Sequence, residues 1–195
     1  MLKNKKVLLL LANGFEVLEA SAFVDVFGWN NLEGEAGIDL FTCSFRREVK
    51  TAFGQNWQVD YLIEDISSSD FDALFIPGGF EEFGFYDDAF KNEFSSIIKS
   101  FHQQEKLIAS VCVGALAIGK SGILKNISAT TYQKNKQRIN QLQSFEAIIK
   151  YDDVVVSKNI ITSSGPSTAL DVAFLCLEKL TNKENTQKVK ALMGF

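Results

Sequence analysis

Histidine is almost missing: a chain of 195 residues carries one, His102. Cys-His and Ser-His mechanisms need an imidazole beside the nucleophile. His102 stands near the end of a predicted helix, the length of a strand away from the reactive-looking cysteine, so cysteine-protease and glutamine-amidotransferase chemistry lose support. Cysteine is scarce as well. Cys43, Cys112 and Cys176 are odd in number, far apart and never arranged as C-x-x-C, which argues against a disulfide framework or a structural zinc and fits a reducing cytoplasm. Positive charge is not in excess, since 20 Lys and Arg against 24 Asp and Glu give a net charge of −4. With the acidic residues scattered, nothing marks a nucleic-acid or anionic-membrane partner. No run approaches the ~20 apolar residues of a membrane span. Lys3, Lys5 and Lys6 followed by Val7 to Ala12 imitate a secretory signal, but the run stops at Asn13-Gly14 without a small-x-small cleavage site, and a buried strand is expected instead. With two prolines and no Pro/Gly/Ser-rich linker, residues 1–195 are read as a single domain.

What is present is a recurring alternation. Apolar β-prone runs at Val7 to Ala12, Ile38 to Phe45, Ala73 to Ile76 and Leu107 to Val111 predict strands covered on both faces. A less pure pair follows at Val154 to Val156 and Ile160 to Thr162. Helical spacing over Val17 to Phe27, Asp88 to Gln103, Val113 to Lys120 and Thr168 to Leu180 completes a doubly wound α/β pattern with a mainly parallel sheet. Residues Val49 to Ile63 alternate around Gly54-Gln55-Asn56 and predict a small antiparallel hairpin. A Thr181-x-x-Glu184 capping box predicts a last helix over 182–195.

In open α/β sheets reactive groups gather beyond the carboxyl ends of the strands. Cys112 sits there, after an apolar strand and before a helix, among Ala109, Ser110, Gly114 and Ala115, the small neighbours that a sharp elbow requires. Helix amino termini favour thiolate, so Cys112 is expected to be the reactive thiol, whereas Cys43 and Cys176 fall on core positions. Glu16 follows the first strand. If the loops converge, it and Cys112 share a proton as a coupled pair, with Glu19, one turn on, a solvated neighbour. In Pro77-Gly78-Gly79 glycine permits close backbone approach, and the N–H groups of Gly79 and Val113 are expected to form an oxyanion hole.

Five segments carry a resemblance: VLLLLANGFEVLE (7–19), FDALFIPGG (71–79), IASVCVGALAIG (108–119), GILKNISATT (122–131) and ITSSGPSTA (161–169). In this order they resemble the ThiJ/PfpI family of the class I glutamine amidotransferase-like superfamily. The resemblance implies a flavodoxin-like three-layer sandwich, a homodimer and no cofactor or metal. It assigns Cys112 as nucleophile, Glu16 as its hydrogen-bonding acid and Gly79 and Val113 as backbone donors, with Gly78, Tyr132 and Pro166 around the pocket. The chain departs from the pattern at three places. Val113 replaces the histidine of peptidase members, Tyr132 replaces the histidine that follows Thr-Thr in others, and Ser164 replaces an anion-holding arginine. The function implied is cofactor-independent attack by Cys112 on a small electrophile, a reactive carbonyl, as in glyoxalase- and deglycase-type stress protection. Two alternatives use the same residues: redox sensing or chaperoning through Cys112 oxidation, and isonitrile hydration.

Overall fold

The computed structural model describes residues 4–35 and 37–195; Lys3 of the charged amino-terminal stretch lies outside them. In chain order the elements are β1 (Lys5–Leu10), α1 (Val17–Glu33), β2 (Ile38–Ser44), β3 (Glu48–Lys50), β4 (Asn56–Gln58), β5 (Tyr61–Leu62), β6 (Ala73–Ile76), α2 (Phe85–Ala89), α3 (Asn92–Gln103), β7 (Leu107–Ser110), α4 (Gly114–Lys120), β8 (Ser128–Ala129), α5 (Lys136–Ser144), β9 (Ile148–Ile149), β10 (Val154–Ser157), β11 (Ile160–Ser163), α6 (Ala169–Leu180) and α7 (Lys183–Leu192). No described helix is long and apolar enough to cross a membrane.

Seven strands make one sheet in the order β10-β11-β7-β6-β1-β2-β5. All neighbours are parallel except the β10–β11 hairpin at one edge. The apolar runs are continuous because both faces are covered: Val7 to Leu10 and all of β6 and β7 are buried, with α1, α6 and α7 grouped on one face and α3, α4 and α5 on the other. On the α1 face, Phe23 and Phe27 stack on Phe75 of β6 with ring centroids 4.8 and 5.5 Å apart, an arrangement that adds about 1 kcal/mol per pair to the burial itself.

The expected hairpin exists as β3–β4, with Val49 opposite Trp57, and the chain then returns to the main sheet as β5 beside β2. One expectation needs correction. The last helix is capped by Asn182, whose side chain accepts from the Asn185 N–H at 2.8 Å, whereas the Thr181 hydroxyl donates back to the Leu177 carbonyl. The segment 128–149 also contains structure that apolar periodicity does not reveal. α5 buries only Leu142, and β8 and β9 are two residues each.

The topology puts the crevice where β1 leads to β2 on one side and lies against β6 on the other. There the loops after β1 and β6 bond to each other. The Glu16 N–H donates to the Gly78 carbonyl at 2.9 Å and the Phe80 N–H to the Gly14 carbonyl at 3.0 Å, bracketing a Phe15–Gly79 bridge. The same loop is pinned from the other side by Asp88 of α2, which is 1% exposed. Its carboxylate accepts from the Asn13 N–H at 2.9 Å, from both guanidinium nitrogens of Arg46 at 2.5 and 3.0 Å, and from Lys91 at 3.0 Å. Burial works to raise this carboxyl, but the bonds from Arg46, Asn13 and Lys91 prevail and hold it below its ordinary value.

Candidate active site

Cys112 is the first residue of the turn that joins Val111, just past β7, to α4, and its φ is +54°. Four other described non-glycine residues have positive φ, namely Glu105, Asn126, Glu146 and Lys158. All four are exposed turn positions, and Cys112 alone is buried. A left-handed non-glycine residue costs on the order of 1–3 kcal/mol and persists only where its surroundings over-determine it. Here they do: the Cys112 N–H donates to the Ser163 carbonyl at 3.1 Å, and its own carbonyl accepts from the Thr131 hydroxyl at 3.0 Å. The small residues around the elbow have a steric reason. A Cβ on Gly114 would stand 2.5 Å from the Ile76 carbonyl oxygen, and one on Gly78 would stand 2.9 Å from both the Val113 nitrogen and a Glu19 oxygen.

The acid against the thiol is Glu19. It was expected to be solvated and is instead fully buried, because α1 begins at Val17: Glu16 becomes the N-cap residue at the crevice mouth and Glu19, three residues on along the same helix face, points down between the loops. One oxygen, Oε2, accepts from the Gly78 N–H at 2.5 Å. The other, Oε1, is buried without a donor in hydrogen-bond geometry, flanked by the Glu16 carboxyl and the Cys112 thiol. Burial first, and the neighbouring Glu16 charge second, push the Glu19 carboxyl up to about 8, so near neutral pH it is largely a neutral acid. Glu16, half-buried, is also raised by burial, with the neighbouring Glu19 carboxyl drawing it part of the way back.

Burial likewise pushes the Cys112 thiol up, and an ionised Glu19 pushes it further, while the Val113 N–H pulls it down. Helix-terminal lowering of the thiol is therefore not the dominant influence at this elbow. Thiol and carboxyl compete for protons as one coupled system. The other two thiols are raised by burial alone or nearly so, Cys43 to about 12 and Cys176 beyond it, and both are wholly enclosed in the core.

The elbow opens on a cavity of about 310 Å³ lined by Glu16, Gly79, Phe80, Glu81, Glu82, Tyr86, Cys112, Val113, Tyr132, Asn135, Arg138 and Pro166. It brings together six of the residues expected around the site, with Gly78 directly beneath. The Gly79 N–H donates to no backbone carbonyl among the described residues. Tyr132 packs its ring beside Gly165. His102 is elsewhere, at the far end of the β7 strand in a separate surface depression with Gln103, Glu105, Lys158 and Asn159. Tyr86 and Arg138 were not foreseen. Arg138 on α5 reaches across to Glu81 at 2.5 Å and lays its guanidinium 4.8 Å from the centre of the Tyr86 ring, so the pocket does hold an arginine, drawn from a helix the sequence pattern does not show. No group of three or more His, Cys, Asp or Glu side chains among the described residues is arranged to hold a metal ion.

The sequence model of the DJ-1/PfpI family matches residues 5–179. The chain belongs to the DJ-1/PfpI family. Protein DJ-1 homolog A of Arabidopsis thaliana is 28% identical over 193 residues, which cover 97% of this chain and 46% of that protein, so the chain spans about half of that relative's length. YraA of Bacillus subtilis, whose name carries a cysteine-protease assignment, is 31% identical over 166 residues, 84% of this chain and 90% of that one. DJR-1.2 of Caenorhabditis elegans, named a glutathione-independent glyoxalase, is 29% identical over 152 residues, 77% of each chain. Among solved structures, Drosophila melanogaster DJ-1beta superposes with a TM-score of 0.83 at 26% identity, covering 98% of both chains. This DJ-1/PfpI member thus has the family's flavodoxin-like fold from end to end of the matched region.

Proposed function

We propose that the protein is a cofactor-independent, cysteine-dependent enzyme that converts small vicinal carbonyl compounds of the methylglyoxal type, a glyoxalase-like activity in stress protection. The observation that carries the reading is the strained Cys112 set against a buried carboxyl that stays protonated near neutral pH. In the reactive protonation state the thiolate is paired with neutral Glu19. Sulfur attacks the aldehyde carbon, a C–S bond forms, and the carbonyl π pair becomes an alkoxide facing the Gly79 and Val113 N–H groups, which takes the Glu19 proton to give a hemithioacetal. The Glu19 carboxylate then removes the proton on that carbon and returns it to the adjacent carbon, while the hydroxyl proton moves from the first oxygen to the second. The product is a thioester of a 2-hydroxy acid. Water cleaves its C–S bond, restoring the thiol and releasing the acid, so the sequence is an internal redox isomerisation plus hydrolysis and consumes no oxidant.

The named activity of DJR-1.2 in Caenorhabditis elegans supports this reading. The position of His102 away from the cavity speaks against a cysteine-protease mechanism. The test is methylglyoxal turnover with and without Cys112→Ser: the variant is expected to lose at least about 10³-fold in kcat/KM. Retained turnover would refute the mechanism. Negligible turnover in the parent protein, together with peroxide-dependent oxidation confined to Cys112, would favour the redox-sensing alternative, in which neutral Glu19 donates to the oxidised sulfur.

A further inference from the structure

Among the described residues that line the cavity with Cys112, Arg138 is the one cation. Its side chain is 12% exposed, and its guanidinium is fixed 4.8 Å from the centre of the Tyr86 ring. A guanidinium has five N–H donors. Here Nη1 donates to the Gln141 side-chain oxygen at 3.3 Å and Nη2 to the Glu81 carboxylate at 2.5 Å, while Nε has no acceptor among the described residues and is not sealed from solvent. Asn135 lines the same cavity. Its side-chain oxygen caps α5 by accepting from the Gln137 N–H at 2.9 Å, which leaves the amide nitrogen without an acceptor. The first turn of α5 carries no acidic residue, so the positive end of that helix adds to Arg138. The α5 wall therefore offers donors and positive charge. The carboxylates come from other segments: Glu81 and Glu82 are exposed, where water and salt screen them, and burial raises Glu16 toward its neutral form. The cavity is also large for the smallest vicinal dicarbonyl. Its volume is about 310 Å³, whereas methylglyoxal at interior packing density takes roughly 100 Å³.

We infer that Arg138 is a specificity-determining residue that binds a carboxylate carried by the substrate, so that the preferred substrate is a vicinal dicarbonyl with a carboxylate at its far end rather than a neutral one such as methylglyoxal. The inference rests on the function proposed above and deepens it by adding the charged group that the substrate carries. Glu81 is the stand-in. A carboxylate already sits on this guanidinium, and the Glu81 side chain that supplies it is 59% exposed, so water is at hand to solvate it when it leaves. A pair with so exposed a partner is weak, whereas a carboxylate brought into the cavity on a substrate meets the same fork away from bulk water, where charge-assisted hydrogen bonds are stronger. Attachment at two points, sulfur at one end and guanidinium at the other, fixes the orientation of the two carbonyls between them. The carboxylate takes no part in bond making. The bonds formed and broken are those already described, and with water the product is a dicarboxylic 2-hydroxy acid, without an added oxidant or reductant.

The experiment measures kcat/KM for 4,5-dioxopentanoate and for its methyl ester, which share the reacting carbonyls and differ in charge at the far end, in the parent, Arg138→Met, Arg138→Gln and Glu81→Ala. The readout is the acid-to-ester ratio within each protein, which cancels any loss of folded enzyme. The parent is expected to prefer the acid about 10-fold or more, mainly through a lower KM. Arg138→Met and Arg138→Gln are expected to bring the ratio within about twofold of unity, and Glu81→Ala, which frees the guanidinium, to raise it about two- to fivefold. A parent that does not distinguish acid from ester, while turning over methylglyoxal through Cys112, overturns the inference and leaves the proposed function standing. A preference retained in either Arg138 variant overturns it also. If neither Arg138 variant folds, Glu81→Ala decides, because a ratio unchanged or lowered there means that the guanidinium is not available to a second carboxylate. A parent without Cys112-dependent turnover of any of the three compounds defeats the function and the inference together.

Discussion

Two carboxylates are buried within a few residues of the same crevice and have been given opposite characters. Asp88 has donors for both oxygens, from Asn13, Arg46 and Lys91, and is held below its ordinary pKa in spite of its burial. Glu19 has one backbone donor, at Gly78, and an oxygen with none, and it is pushed up to about 8. Burial is common to both, so burial is not what makes chemistry. The number of donors is. A carboxylate with its lone pairs filled is a fastener, here tying the loop after β1 to α2 and β2's following turn. One left short of donors is a proton reservoir, and it is the one set against a thiol.

The largest effect that can break this comparison is on turnover. Glu19→Gln preserves shape and the acceptor for the Gly78 N–H but cannot carry a proton, and methylglyoxal turnover is expected to fall about 10²- to 10⁴-fold, measured as kcat/KM against the parent. Asp88→Asn is expected to leave kcat per folded molecule within a few-fold while lowering stability by about 2–4 kcal/mol, because two cations then face a neutral group. Chemical denaturation measures that loss. If Asp88→Asn instead removed turnover with stability intact, the division between fastener and reservoir would be wrong.

A smaller effect sharpens the same division at the thiol. Alkylation of Cys112 is expected to rise through a transition near pH 8 that belongs to the Cys112–Glu19 pair. In Glu19→Gln the negative neighbour is absent, and alkylation above pH 9 is expected to be several-fold faster than in the parent. Peptide mass spectrometry of the folded protein resolves the three thiols, and Cys43 and Cys176 are expected to remain unmodified throughout.

How much of this was legible in the sequence depends on the distance over which it is decided. Cys112, Gly78 and Gly79 lie at strand ends marked by apolar runs and small residues, and the structure brings Cys112 and Gly79 to one cavity with Gly78 packed against the elbow. Glu16 and Glu19 are spaced three apart, and the expected helix start at Val17 is the observed one, so what was missed is not the boundary but the phase of the helix face that enters the core. The signal available was that Glu19 falls in phase with the buried Phe23, Val26 and Phe27 stripe of α1. Arg138 and Tyr86 were out of reach for a different reason. α5 is polar nearly throughout, α2 is a single short turn, and their meeting over the cavity is set by long-range packing rather than by any local pattern. Ser164 stands where the resemblance implied an arginine in some members, yet the cavity has one from Arg138, because position in space and position in a motif are different things.

The finest test sets the two carboxylates against each other in the pH dependence of stability. Asp88 has a folded pKa below its unfolded value, so its contribution is present above about pH 4 and is lost as pH falls through the folded pKa. Glu19 has the opposite sign: its folded pKa of about 8 lies above the ordinary 4.5, so its contribution is complete below the unfolded value and is lost as pH rises through the folded one. The parent protein is therefore expected to be limited by Asp88 on the acid side and by Glu19 on the alkaline side. Thermal midpoints at pH 4.5, 7 and 8.5 should show Glu19→Gln equal to the parent at the first and above it by a few degrees at the last, the difference growing across the interval. Asp88→Asn should lie below the parent at all three, with a gap that narrows only as the pH drops below 4. A Glu19→Gln midpoint that tracks the parent at pH 8.5 would mean that Glu19 is ionised without cost in the folded protein, and that its orphan oxygen is no reservoir.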